Sequence, residues 1–237
     1  MTSKIARAPD NIARKTLSVR HRLIRALAPQ FYKEAVLAIS TVNLMPRAAI
    51  LYIKEVMNGK KLCGAEIGVA AGVHAEDIMT MLNMKKLYLI DPYEPYVEVG
   101  RLHTDYLADK QKAALRLKRF GDKVECIYQS SDRAATLIPN DLDFVYIDGN
   151  HTYEYVKNDI ETYYPKITDN GVLSGHDFGR AYNGDVVRAV VEFVSKHNLK
   201  LEIGSGADWF LQKGLFNDAR ALEPFSILQG LPRIERA

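Results

Sequence analysis

Cysteine is scarce in this chain, with Cys63 and Cys126 the only two among 237 residues. Both fall beside or within expected buried strands, so they read as packing residues and not as a disulfide or metal pair. A reducing, cytoplasmic setting is consistent with that. Long apolar runs are missing too. The longest, Ala35 to Met45, is too short to span a bilayer and is closed by Pro46 and Arg47. The N-terminus lacks a continuous apolar core followed by small residues, which argues against a secretory signal. Net charge is small, since 32 Lys/Arg against 29 Asp/Glu leave +3. No internal repeat or low-complexity segment is evident.

The charge that is present is unevenly spread. Residues 1–60 hold 11 Lys/Arg against 3 Asp/Glu, and the remainder is acidic in balance. That asymmetry sets a basic N-terminal extension (1–60) ahead of a mildly acidic domain (61–237). Within the extension the spacing predicts helices over 11–28, over 31–44 and from Pro46 to about Asn58-Gly59, where glycine supplies the stop. Such basic helices can cap the core, form a contact with a second copy of the chain, or meet nucleic acid or an anionic membrane.

From residue 61 short apolar runs alternate with amphipathic segments. LCGAEIGV, KLYLID, KVECIYQ, LDFVYID and GVLSGHD read as strands, and 74–84, 103–120, 131–138, 152–165 and 184–197 as helices. The alternation predicts an α/β domain with a parallel sheet covered by helices on both faces. LKLEIGSG and ADWFLQK then form a hairpin across Gly-Ser-Gly, which makes the last strand antiparallel. A seven-stranded sheet ending this way departs from the dinucleotide-binding pattern.

The first strand runs into Gly64-Ala-Glu66-Ile-Gly68-Val-Ala-Ala-Gly72. Glycines at a strand-to-helix turn allow close approach to the backbone, but the spacing is not the Gly-x-Gly-x-x-Gly of an NAD site. An acid two positions before Gly68 is poorly placed for a pyrophosphate. It suits a ligand bearing an ammonium group, such as the methionine part of S-adenosylmethionine. The second strand ends in Asp91-Pro92, where a carboxylate about twenty residues past the turn can accept from both ribose hydroxyls. The third ends in Gln129-Ser130-Ser131-Asp132. There Ser131 or Asp132 can cap the next helix, or lie near an adenine, or do both.

These residues together resemble a class I S-adenosylmethionine-dependent methyltransferase over about residues 61–213. Within that class the chain is similar to the metal-dependent O-methyltransferases of the catechol and macrolide-sugar types. The resemblance implies a Rossmann-like sheet of order 3-2-1-4-5-7-6 and S-adenosylmethionine as cofactor. It also implies that Glu66, Gly68 and Gly72 line the methionine, that Asp91 holds the ribose, and that Ser131 and Asp132 flank adenine.

The stretch Asp148-Gly-Asn-His151, with His176-Asp177 one strand later, carries the reacting groups. A hydroxyl is a poor nucleophile near neutral pH, and a divalent cation and a nearby base overcome that. By the resemblance Asp148 is a metal ligand and His151 the base, a role that suits imidazole. The related families place two adjacent oxygen ligands after the fifth strand, where this chain has His176-Asp177. Asp177 suits Mg²⁺, whereas His176 favours a softer ion such as Mn²⁺, or acts as a second base, or orients Asp177. The implied acceptor is a small-molecule hydroxyl, met by 93–105, by the loop after Asp177 and by the N-terminal helices, with Tyr93, Tyr96, Phe178 and Tyr182 as walls. Two other functions compete: methylation of RNA or another macromolecule gripped by the basic N-terminus, and a non-catalytic binding module of the same fold.

Overall fold

A computed structural model describes residues 46–98, 101–103, 106–178 and 184–216. The helices expected over 11–28 and 31–44, and Tyr182, lie outside the described residues. The third expected helix is α1 (Ala48–Val56), which buries Ala49, Ile50 and Ile53 against the domain core.

Alternation of strands and helices follows the order β1 (Leu62–Ile67), α2 (Val73–Met81), β2 (Met84–Ile90), β3 (Tyr96–Glu98), β4 (Arg101–His103), α3 (Tyr106–Leu117), β5 (Val124–Ile127), α4 (Ser131–Ala134), β6 (Leu142–Ile147), α5 (Tyr153–Tyr163), β7 (Ile167–Gly175), α6 (Gly184–Lys196), β8 (Glu202–Ile203) and β9 (Trp209–Gln212). Seven strands form one sheet of order β5-β2-β1-β6-β7-β9-β8, which is 3-2-1-4-5-7-6 once the small β3–β4 hairpin is set aside. β9 is antiparallel to β7 and pairs antiparallel with β8, as the Gly-Ser-Gly turn foretold. The β3–β4 hairpin was not foreseen, because two three-residue strands are too short for a period-2 pattern to register.

Side chains explain the layering. β6 is buried along its whole length, as expected of a central strand covered on both faces. Phe144 and Tyr146 face a core shared with α1, α2 and α3, while Val145 and Ile147 face one shared with α4, α5 and α6. On α6, buried Val186, Ala189, Val190, Phe193 and Val194 recur at helical spacing and lay one stripe on the sheet. β5 is one of the two edge strands of this sheet, which leaves Cys126 exposed, contrary to the buried position expected of it. Cys63 is half-buried, and both thiols are free. Among the described residues no helix is long and apolar enough to cross a membrane.

The sheet leaves β1 in one direction toward β2 and β5, then resumes on its other side with β6. Open α/β sheets bind ligands at such a switch point, beyond the carboxyl ends of the strands. Here those ends are stitched together by the main chain. Asp91 N donates to Ile127 O (3.2 Å), Gly68 N to Ile90 O (2.9 Å), Asp148 N to Ile67 O (2.7 Å) and His176 N to Ile147 O (3.1 Å). Each strand's terminal isoleucine thus receives the first residue of the next functional loop.

Gly68 occupies the tightest point of that arrangement. Its φ is +83°, and a Cβ there would lie 2.1 Å from the Asp148 carbonyl oxygen. The glycine is therefore required by the neighbouring loop of the protein itself, in addition to any ligand. Gly68→Ala is expected to cost about 3 kcal/mol of unfolding free energy in urea denaturation, combining backbone strain with a clash against main chain. Gly59 has a similar φ of +78° but nothing within 4 Å, so Gly59→Ala should cost only about 1 kcal/mol. Equal losses at the two positions would contradict this packing.

Candidate active site

The loops after β1 and β2 are tied into one unit. The Asp91 carboxylate accepts from Val69 N (2.9 Å) and Ala70 N (3.0 Å) through Oδ2 and from Tyr93 N (2.8 Å) through Oδ1. Tyr93 is buried and donates its hydroxyl to Ala70 O at 2.8 Å, so it is a strut of the glycine loop and not an acceptor wall. Gly72, at φ +72°, caps α2 in the left-handed conformation and packs against Ala113 on α3. Ala70, Tyr93 and Asp177 are non-glycine residues with positive φ, and each sits in a loop at the strand ends. Left-handed backbone of this kind persists only where surrounding contacts hold it, and it clusters at working sites.

Glu66 does not open onto solvent. It is 1% exposed and its Oε1 lies 2.9 Å from His74 Nδ1 on the first turn of α2. Its other oxygen, Oε2, is buried with no partner. A buried carboxylate oxygen without a donor is costly, and a cationic group beside it would relieve that cost. Glu66 and Tyr146 are paired in register across β1 and β6, and the His74 ring leans on Tyr146 at 4.0 Å between centroids.

After β5, where adenine is expected, Ser131 and Asp132 behave differently. Asp132 is exposed, and a hydrogen bond from Ser130 holds its carboxyl below the usual range. Ser131 turns inward, its hydroxyl donating to Asp159 and its carbonyl accepting from Tyr163 Oη at 2.6 Å. Asp159 and Tyr163 lie one turn apart on α5 and so grip both polar groups of one residue.

Beyond β6 and β7 the four expected reacting groups come together. His151 Nε2 lies 2.9 Å from Asp177 Oδ2 and 3.3 Å from Asp148 Oδ1. His176 Nδ1 lies 3.1 Å from Asp177 Oδ1 and 3.7 Å from Asp148 Oδ1. One donor atom each from Asp148, His151 and Asp177 fall within 4.8 Å of one another, so the tightest potential metal set includes His151, with His176 beside it. Burial opposes the charge on Asp177, but hydrogen bonds from His151 and His176 outweigh it and hold the carboxyl well below the carboxylate range. Asp148 is lowered in the same way, against burial, by His151 and by Arg47.

Arg47 was not singled out from the sequence. Its Nη1 lies 2.6 Å from Asp148 Oδ2 and donates to Tyr146 Oη at 2.6 Å. Tyr146 in turn donates to Asp208 Oδ1 (2.8 Å), and Asp208 Oδ2 accepts from Ala49 N (2.9 Å). Asp208 is fully buried and satisfies an orphan amide of the first turn of α1. The only hints of this chain of contacts were a tyrosine inside the apolar run of β6 and an acid just before the apolar β9. Of the expected acceptor walls, Tyr96 is exposed and Phe178 packs against the core.

Residues 65–178 match the methyltransferase domain family. Solved structures of similar shape include the O-methyltransferase NovP (14% identity, covering 70% of this chain and 79% of that one, TM-score 0.52). Another is CalS11, a TDP-rhamnose 3'-O-methyltransferase of calicheamicin biosynthesis (14%, 89% and 97%, TM-score 0.53). A third is an rRNA methylase from Streptococcus thermophilus (14%, 70% and 93%, TM-score 0.50). No curated protein matches the sequence. At such identities the likeness is one of fold, and the acceptors named range from a sugar to RNA.

Asp159 gives this region a pH signature. Burial is the largest influence on its carboxyl and pushes it up to about 7, against the hydrogen bond from Ser131. A carboxyl raised in the folded state holds its proton there while the unfolded chain, with a value near about 3.9, has released it. Unfolding free energy therefore falls as pH rises from about 4 to about 7. Asp159→Asn removes that slope, so urea denaturation across this window should show the variant gaining on the wild type as pH rises. Parallel curves would mean that Asp159 is ionised in the fold.

Proposed function

We propose that the chain, whose residues 65–178 match the methyltransferase domain family, is a class I S-adenosylmethionine-dependent methyltransferase that methylates a hydroxyl oxygen of a small molecule, with His151 as the base. The observation that carries this reading is the position of His151 Nε2, between the Asp148 and Asp177 carboxylates, on the loop whose first amide is bonded to the strand leading into Gly68. That bond sets the His151 loop beside the glycine loop that this reading gives to the cofactor. The unpartnered Glu66 Oε2 suits the cationic methionine end of the cofactor, and Asp91 suits its ribose.

The bound cofactor supplies an electrophilic methyl on a sulfonium, and a divalent ion, when bound, lowers the pKa of the acceptor hydroxyl. Asp148 and Asp177 would hold that ion together with one imidazole. Two carboxylates and a nitrogen favour Mn²⁺ or a similar ion over Mg²⁺. The rest belongs to side chains of this protein. His151 Nε2 cannot bind an ion and take up a proton at once, so in this reading His176 is the third donor and His151 the base. The acceptor oxygen attacks the methyl carbon, the carbon–sulfur bond breaks with its electron pair returning to sulfur, and the hydroxyl proton passes to His151. Holding the reactants in line and stabilising the developing oxyanion are the enzyme's main contributions.

His151→Ala is expected to reduce turnover by roughly 10²–10⁴-fold, while S-adenosylhomocysteine affinity by isothermal titration stays within a factor of about two. Full activity in the variant would remove His151 from the chemistry. Treatment with a chelator should abolish turnover and Mn²⁺ should restore it; turnover indifferent to chelator would leave the imidazole base acting without a metal.

A further inference from the structure

One acid at the proposed reaction centre already has a cation against it. Arg47 Nη1 sits 2.6 Å from Asp148 Oδ2, with 30% of the arginine side chain and 17% of the aspartate exposed. The guanidinium is not loosely placed. The same nitrogen donates to Tyr146 Oη, and the guanidinium carbon lies 5.4 Å from the centre of that ring. Asp208 then fixes both Tyr146 and the first turn of α1, the helix that Arg47 opens. Burial would lower the arginine's proton affinity, but Asp148 and Tyr146 raise it, so the group is a permanent charge.

We propose that Arg47 is a built-in counter-cation which competes with a divalent ion for Asp148 and so holds the metal affinity of the centre down. The inference rests on the metal-assisted reading above. With neutral imidazoles, Asp148 and Asp177 carry two negative charges, matching a divalent ion. Arg47 cancels one of them, and a second cation brought to the same carboxylate must work against its field. Unlike charges at such separations in a partly buried site interact by several kcal/mol, and so do like ones. The arrangement keeps the carboxylates ionised and positioned without a metal, and it leaves an ion held weakly enough to exchange. Arg47 acts through Asp148 and is a positioning residue.

Mn²⁺ binding to the full chain saturated with S-adenosylhomocysteine tests this directly, by isothermal titration and by loss of the free Mn²⁺ resonance signal. Arg47→Gln and Arg47→Met both remove the charge, the second keeping an apolar stem over Tyr146. Unchanged S-adenosylhomocysteine affinity certifies that each variant is folded. Both should bind Mn²⁺ at least about tenfold more tightly than the wild type, while Arg47→Lys, which keeps the charge, should stay within about threefold. Neutral variants that bind Mn²⁺ equally or more weakly would overturn the inference while leaving the metal reading intact. Absence of Mn²⁺ binding in wild type and variants alike would overturn both.

Discussion

Everything functional in this domain depends on main-chain hydrogen bonds between strand ends. Four isoleucine carbonyls, those of Ile127, Ile90, Ile67 and Ile147, each receive the amide of the residue that opens an adjoining loop: Asp91, Gly68, Asp148 and His176. Buried amides and carbonyls must be paired, so the sheet cannot end raggedly at these points. The pairing advances across the sheet one strand at a time and sets the Gly68 and Asp91 loops beside the loops bearing the two acids and two imidazoles. Gly68 is the contact between the halves, since only a residue without a side chain lets the Asp148 carbonyl approach so closely.

Electrostatics then decides what the assembled centre can do. Asp148 and Asp177 sit where burial disfavours their charge, yet both remain ionised because imidazoles and Arg47 face them. Asp159, buried with a hydroxyl as its hydrogen-bond partner and the like charge of Asp132 nearby, goes the other way. The contrast shows which effect wins: a charged or proton-donating partner at hydrogen-bond distance overrides desolvation, and a single neutral hydroxyl does not. A cluster so arranged can exchange a proton or accept a cation with little rearrangement, as a reaction centre needs.

The strands and the helices after residue 61 were legible because each central strand is a short apolar run and each helix carries a stripe, as in Val186, Ala189, Val190, Phe193 and Val194, whereas the order of the sheet came from the family resemblance alone. The candidate reacting groups were legible because they follow those runs directly. What escaped the sequence was long-range. Arg47 meets Asp148 across 101 positions and Ala49 meets Asp208 across 159, and no local pattern encodes such pairs. His74 and Asp159 read as polar positions of ordinary helices until their partners, Glu66 and Ser131, are seen. Cys126 was misjudged because an edge strand resembles a buried one when only its own residues are read.

The most direct test of the account is a crystal structure of the full chain with S-adenosylhomocysteine and Mn²⁺. The account predicts the ribose on Asp91, the sulfur facing His151 across the cleft beside Gly68, and the ion on Asp148 and Asp177. A cofactor bound elsewhere on the sheet, or His151 turned out of the cleft that holds the sulfur, would contradict it.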